Sequence, residues 1–349
     1  MPVTPGRAEF GDRVATGVLD VTSDPAKLER AGFWAVVVTF EGELTAVRMA
    51  HVEHRVRPAA APLQAVADYL DGWESSLTEE AYLEGVSRIR RSIAAGETYQ
   101  VNLCRVLSRR ISESFDLDRL NDVLQQSNPA PYAARIDVPA ARLDVVCASP
   151  ELFLERAGDR LVSGPIKGTA PTADQMLEKD RTENIMITDL VRNDLSAVSL
   201  PGSVDVEQLC AEEAHPGVVH LVSTIASRLR PQTGWHDILA ATYPPGSVSG
   251  APKSSALEAI RSLEPVRRGP YCGAIGWVDS DAGEARLAVG IRTFWAERDA
   301  GGQRLLRFGT GAGITWGSDP SSEWAETELK ARRLISLAGH ALGPSDAAV

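Results

Sequence analysis

Hydrophobic residues in this chain switch repeatedly between a two-residue and a 3.6-residue period, and the two-residue segments come in adjacent pairs. Residues 33–40 and 44–49 read as strands, and Glu41-Gly42-Glu43 between them closes a hairpin. Residues 143–148, 152–156 and 160–164 read as further short strands, with Ala157-Gly158-Asp159 turning the chain between the last two. Residues 271–279 and 285–295 form another pair, followed by 304–308. Tyr99, Val101 and Leu103 alternate with Gln100, Asn102 and Cys104, again a strand pattern. Helical spacing intervenes. Thr78 caps a segment in which Tyr82, Val86, Ile89 and Ile93 recur, and Gly96 stops it. Helices are also expected at 173–191, 218–228 and 322–337. Strand pairs with helices between them favour an α+β fold over a strictly alternating parallel sheet.

The same pattern suggests a short β-rich N-terminal region at 1–75, packed on a main domain at 76–338. A Pro- and Ala-rich stretch at 54–62 reads as a connector, and 339–349 as a flexible tail. Of the 349 residues, 44% are hydrophobic and 24% charged, which suffices for a sizeable core. Lys plus Arg is 36 and Asp plus Glu is 47, a net charge of −11. An acidic surface repels nucleic acid and anionic membranes, so neither is an expected partner. An anionic substrate would need positive charge concentrated in a pocket. No apolar run is long enough for a bilayer, and the first residues lack a signal-peptide core, so a cytoplasmic location is expected. Cys104, Cys147, Cys210 and Cys272 are far apart with no C-x-x-C pair, which argues against a zinc site or a disulfide framework.

Four constellations carry possible chemistry. Asp180 and Glu183 are three apart on one helix face, as are Glu323 and Glu326 on another. They are either solvated helix faces or oxygen ligands for a hard cation such as Mg²⁺. The loop at 244–253, which contains Ser247 and Lys253, runs into a helix whose free amides favour an anion; the Gly-rich run at 308–314 offers amides to a carboxylate. Either loop could equally be a tight structural turn. Lys167 stands in Ser163-Gly164-Pro165-Ile166-Lys167-Gly168-Thr169, as a surface lysine or, if buried, as an amine nucleophile. His220 is a core histidine or a positioned proton donor.

Several stretches together resemble the chorismate-utilising enzymes over 79–337. They are Tyr99-Gln100-Val101-Asn102-Leu103, Ser149-Pro150-Glu151, Pro165-Ile166-Lys167-Gly168-Thr169, Glu183-Asn184-Ile185-Met186 through Arg192-Asn193-Asp194, His220-Leu221-Val222-Ser223-Thr224, Gly246 to Lys253, Ile291-Arg292-Thr293 and Glu323-Trp324-Ala325-Glu326-Thr327. The resemblance implies a four-layer α/β/β/α sandwich. It implies Mg²⁺ held mainly by Glu183 and Glu326, with Glu323 and Asp180 assisting, and bound to the ring carboxylate of chorismate. Arg292, Tyr271, Lys330 and the amides of Gly311, Ala312 and Gly313 would hold the enolpyruvyl carboxylate. Gln100, Thr169 and Ser247 would complete the substrate site. Members that add water to chorismate carry a lysine base where this chain has Gln100, and a neutral amide is no base. Members that make anthranilate read P-I-A-G-T where this chain has Lys167. The chain is most similar to members that make 4-amino-4-deoxychorismate, the precursor of p-aminobenzoate and folate. There the lysine attacks ring carbon 2, Glu151 would protonate the leaving hydroxyl, and ammonia comes from a separate glutaminase subunit.

The pattern also departs from the family. The N-terminal part is short and lacks a recognisable tryptophan-pocket motif. Thr172, Ser196-Ala197 and Ser254-Ser255 replace residues that are commonly basic or glycine. An anthranilate-forming or specialised aminating enzyme, and a non-catalytic chorismate-binding subunit, remain the rival expectations.

Overall fold

The computed structural model describes residues 3–55, 72–170, 172–176, 178–215 and 218–342. Most of the expected connector at 54–62, and the tail from 343 on, lie outside them. Among the described residues six α-helices are formed: α1 Glu79–Ala94, α2 Leu117–Ser127, α3 Glu178–Ser196, α4 Trp235–Thr242, α5 Lys253–Leu263 and α6 Pro320–Gly339. Among the described residues no helix is long and apolar enough to cross a membrane.

The strands pair antiparallel throughout and divide into two large sheets. Neighbour to neighbour, the first runs through Asp205–His215, Val218–Arg228, Arg160–Gly164, Leu152–Ala157, Glu284–Val289, Ala274–Asp279, Phe33–Val38, Leu44–His54 and Arg13–Thr22. The strand Ile166–Ala170 also pairs with Val218–Arg228. The second runs through Tyr132–Val138, Leu143–Ser149, Thr293–Arg298, Arg304–Ile314 and Gln100–Arg110. The strand Thr4–Phe10 pairs with one member of each sheet and joins them. Thus the first fifty residues share hydrogen bonds with the sheets of the rest of the chain.

Helices cover the outer faces. α3 packs on the first sheet and α4 on α3, whereas α1, α5 and α6 pack on the second sheet and α2 on both α6 and that sheet. The larger core cluster joins both sheets, with Trp34, Leu154, Ile225, Ile275 and Leu287 from one and Val101, Leu103, Ile136 and Cys147 from the other. A second cluster seats Leu120, Leu124, Leu334 and Ile335 of α2 and α6 on Val146, Phe294 and Phe308. Each such side chain, fully buried, contributes roughly 1.5–3 kcal/mol. α1 forms as its pattern predicts: the Thr78 hydroxyl accepts from the Ala81 amide at 3.2 Å, and Tyr82, Val86 and Ile89 face inward. The result is the four-layer α+β sandwich.

Three expectations are corrected. Residues 218–228 form a strand, not a helix. Val219, Leu221, Val222, Thr224 and Ile225 are spaced for either, and a strand buried on both faces shows no alternation to betray it. The Gly-rich run at 308–314 is no loop but the second half of the strand Arg304–Ile314. The single strand expected at 285–295 breaks in two, at Val289 and Thr293, around Arg292. Arg292 adopts φ 53°, a left-handed conformation that ends pairing. The strands Thr4–Phe10, Arg13–Thr22, Tyr132–Val138 and Asp205–His215, and helices α2 and α4, were not anticipated.

Candidate active site

A cleft of about 1880 Å³ opens between the sheets and the helices α3 and α6. It is lined by Glu151, Lys167, Asp180, Glu183, His220, Ser247, Tyr271, Arg292, Gly311, Gly313, Glu323, Glu326 and Lys330. These residues come from strands, helices and the connections between them, scattered along the chain. Gln100 and Ala312 do not line it, and of Thr169 only the backbone is described, paired with His220.

The floor is set by strand register. In Gln100–Arg110, the backbone amides of Asn102, Cys104 and Val106 donate to Ser249, Glu264 and Ser76, away from the neighbouring strand Arg304–Ile314. Their cross-strand partners Gly313, Gly311 and Gly309 therefore also point their backbone groups outward. Accordingly the Gly311 carbonyl accepts from Lys330 Nζ at 3.1 Å. Every second amide of the Gly-rich strand faces the cleft, while Ala312 spends its own in the ladder. The glycines are needed for space. A Cβ on Gly309 would stand 2.0 Å from the Tyr271 ring, and one on Gly313 would stand 2.4 Å from Gln100 Nε2 and 3.4 Å from Lys167 Nζ. Gln100 is 1% exposed, and its Oε1 has no hydrogen-bond partner among the described residues.

Lys167 occupies the strand Ile166–Ala170, followed by Gly168 at φ 87°. A Cβ on Gly168 would stand 2.8 Å from the Asp180 Cβ, so glycine here lets the strand approach α3. Glu151 follows Ser149-Pro150 at the turn between two strands and is 4% exposed. Burial pushes its carboxyl up to about 7, against the Ser247 hydrogen bond and the Lys167 charge, which pull it down. Burial also raises Glu183; Lys167 and Lys179 oppose that, and Asp180 and Glu326 add to it. Glu323, which accepts from the Ser318 hydroxyl at 2.6 Å, is raised by burial. Glu326 is held below the usual range: burial works against this, and Lys330 at 2.6 Å, with Lys179 and Lys167, outweighs it. Lys167 thus acts on Glu151, Glu183 and Glu326 at once. On the opposite side, burial and the neighbouring Arg333 lower the Arg292 guanidinium, leaving it poised for an anion.

Lys179 and Arg333 line the cleft without having been singled out in sequence, and Asn102 and Gly309 were named only within longer motifs. Arg333 lies three residues beyond Lys330, on the same helix face, and that spacing was the available signal. Lys253, expected at an anion loop, instead binds Asp194 at 2.7 Å.

A family profile described as chorismate binding enzyme matches residues 30–336. The chain belongs to the chorismate-binding enzymes. It is 39% identical over 285 residues to anthranilate synthase component 1 1 of Haloarcula marismortui, covering 78% of this chain and 56% of that protein. It is 34% identical over 320 residues to aminodeoxychorismate synthase component 1 of Salmonella typhimurium, covering 86% and 68%. The chain spans about half the length of the anthranilate synthase relatives it matches. The solved structure of anthranilate synthase component I from Streptococcus pneumoniae shares the fold, with a TM-score of 0.74 at 21% identity over 95% of this chain and 90% of that one.

Members of one family differ in chemistry, so the cleft itself has to be read. Glu183 on α3 and Glu326 on α6 lie close enough to feel each other's charge. Among the described residues no three His, Cys, Asp or Glu side chains are gathered tightly enough to hold a metal unaided. Magnesium takes one or two carboxylates and completes its shell with water and substrate oxygens, so the donor set fits that ion.

Proposed function

We propose that this chorismate-binding enzyme aminates chorismate to 4-amino-4-deoxychorismate through a covalent bond to Lys167. The observation that carries the reading is the meeting of the Lys167 amine with the Glu151 carboxyl in one cleft, where the charge of Lys167 acts on Glu151. Glu183 and Glu326, with Asp180 and Glu323 beside them, would hold Mg²⁺. That ion would neutralise and fix the ring carboxylate. Arg292, Lys330 and the outward amides of Gly309, Gly311 and Gly313 would bind the enolpyruvyl carboxylate, with Tyr271 beneath.

The Lys167 amine attacks ring carbon 2, both ring double bonds shift (from C1–C2 to C1–C6 and from C5–C6 to C4–C5), and the bond from carbon 4 to its hydroxyl breaks. Glu151, still protonated near neutral pH, gives its proton to that hydroxyl, which leaves as water. Ammonia attacks carbon 4, both double bonds return to their original places, and the bond to Lys167 breaks. His220, buried beside Thr169, would serve as a second proton donor. Gln100 supplies an amide where a water-adding enzyme needs a base, which disfavours hydration of the ring. Ammonia would come from a separate glutaminase subunit, replaced by ammonium in vitro.

The test is incubation with chorismate, Mg²⁺ and ammonium, with mass spectrometry of the product before and after adding a lyase. The expected product yields p-aminobenzoate with the lyase, and Lys167→Ala lowers its formation by roughly 10³-fold or more. The 39% identity to an anthranilate synthase component 1 favours a second reading, amination at carbon 2. Anthranilate as the sole product would establish that reading instead.

A further inference from the structure

Glu183 and Glu326 are each followed directly by a polar residue with no exposed surface: Asn184 on α3 and Thr327 on α6. Successive residues of a helix stand about 100° apart around its axis, so each polar neighbour turns into the protein while its glutamate turns to the cleft. Neither Asn184 nor Thr327 lines that cleft. A buried polar group costs free energy unless it is bonded, and both are bonded. The Asn184 side-chain amide donates to the Leu221 carbonyl at 2.9 Å, and its oxygen accepts from the Ser223 hydroxyl. Both partners lie on the strand Val218–Arg228, which also carries His220. The Thr327 hydroxyl accepts from Arg105 Nε at 3.1 Å, and the Thr327 carbonyl accepts from the Thr310 hydroxyl at 2.9 Å. Arg105 and Thr310 lie on the neighbouring strands Gln100–Arg110 and Arg304–Ile314. Arg105 is 3% exposed and also donates to Ser75 at 3.2 Å and to Glu328, and its guanidinium carbon lies 4.1 Å from the centre of the Trp324 ring. Thus α3 is tied to the first sheet and α6 to the second, each by directional bonds one residue away from a cleft glutamate.

We propose that Asn184 and the Arg105–Thr327 pair are positioning residues, which lock the rotation of α3 and α6 about their axes and so set the gap between Glu183 and Glu326. The inference rests on the reading of those two glutamates as the Mg²⁺ ligands. Apolar packing holds each helix on its sheet but fixes its rotation loosely, because hydrophobic contact is non-directional. A hydrogen bond has a direction, and a fully satisfied buried network rigidifies what it joins. Carboxylates that share a small cation must be held to within about 0.5 Å. Like charge also pushes the two glutamates apart before the cation binds, and the anchors resist that push. Arg105 suits the task better than a lysine would, since its planar fork reaches Thr327, Ser75 and Glu328 at once. The same rotation of α6 brings Lys330, about one turn beyond Glu326, to the Gly311 carbonyl.

The test is calorimetric titration of Mg²⁺ into the full chain stripped with EDTA, with thermal midpoints recorded without metal. Arg105→Met and Asn184→Ala are each expected to bind Mg²⁺ about tenfold to a hundredfold more weakly than the native chain. Arg105→Met strands no fully buried charge, since the Glu328 side chain is 27% exposed. Thr327→Val and Ser223→Ala remove one hydroxyl each, and they decide the matter for α6 and α3 where the larger change does not fold. Arg135→Met is the control for a merely structural loss. Arg135 is 4% exposed and bonds Asp118 of α2 and Asp144 of the second sheet at 2.6 and 2.9 Å. Its variant is expected to lower the midpoint and to keep the native Kd for Mg²⁺. If the folded variants at Arg105 and Thr327, or those at Asn184 and Ser223, lower the midpoint but keep the native Kd, the positioning role is overturned for that helix while the metal site stands. If Glu183→Gln with Glu326→Gln keeps native Mg²⁺ binding, the reading of the two glutamates fails and the positioning role falls with it.

Discussion

Glu151 and Lys167 illustrate how little room a single side chain has in this cleft. An exposed glutamate would ionise near its ordinary value, whereas Glu151 is raised to about 7 because burial costs its charge more than Ser247 and Lys167 return. The sign follows for stability. A carboxyl whose folded value lies above its unfolded value stabilises the fold fully below the unfolded value, and that contribution is lost as pH rises through the folded one. The window here runs from about pH 4.5 to about 7. Glu151→Gln, which cannot ionise, is expected to be more stable than the native chain at pH 8 by on the order of 2 kcal/mol, the difference disappearing near pH 4. Urea unfolding at the two pH values measures it. The Glu151 motif was legible in sequence because its neighbours follow a family pattern. Its pKa was not, since that depends on what packs against it.

At the scale of elements, the strand Arg304–Ile314 explains most of the site. Its glycines alternate, and register with Gln100–Arg110 turns Gly309, Gly311 and Gly313 towards the cleft. Gly309→Ala would drive a Cβ into the Tyr271 ring and is expected to cost about 1–3 kcal/mol of stability and to raise the KM for chorismate. Ala312→Gly, on the other side of the pleat, should leave KM unchanged. Steady-state kinetics on the two variants decides between them, since equal effects would dismiss the register argument. The glycines themselves were visible in sequence, but a run of this composition reads as a loop because glycine disfavours strands. Only a neighbour whose backbone bonds could be counted revealed the strand. The strand Val218–Arg228 was mistaken for the converse reason: apolar residues on both faces fit either period.

For the whole molecule, the sandwich brings α3 and α6, more than a hundred residues apart in sequence, to opposite walls of one cleft. Their carboxylates repel until a cation lies between them. Mg²⁺ is therefore expected to raise the thermal midpoint of the native chain, and Glu183→Gln with Glu326→Gln to abolish that rise. Differential scanning with and without EDTA reads it, and an unchanged double-variant response would place the ion elsewhere. Arg292, Lys330, Lys167 and the strand amides gather in one cleft, so under the proposed function a protein of net charge −11 would take up a dianion there, which a count of charges cannot reveal.

The order of residues alone determined the family, the α+β class, the helix α1 with its Thr78 cap, the helix α6, and the identity of the acids and the lysine in the cleft. These rest on local spacing and on motifs a few residues long. Tertiary structure alone decided which face of the Gly-rich strand opens to the cleft, that Arg292 breaks its strand, that Ala312 turns away, and that Asn184 and Thr327 bond to strands of different sheets. Each of those depends on a partner more than thirty residues distant. Hydrogen-bond register, burial and charge proximity are properties of pairs, and no single stretch of chain contains both members.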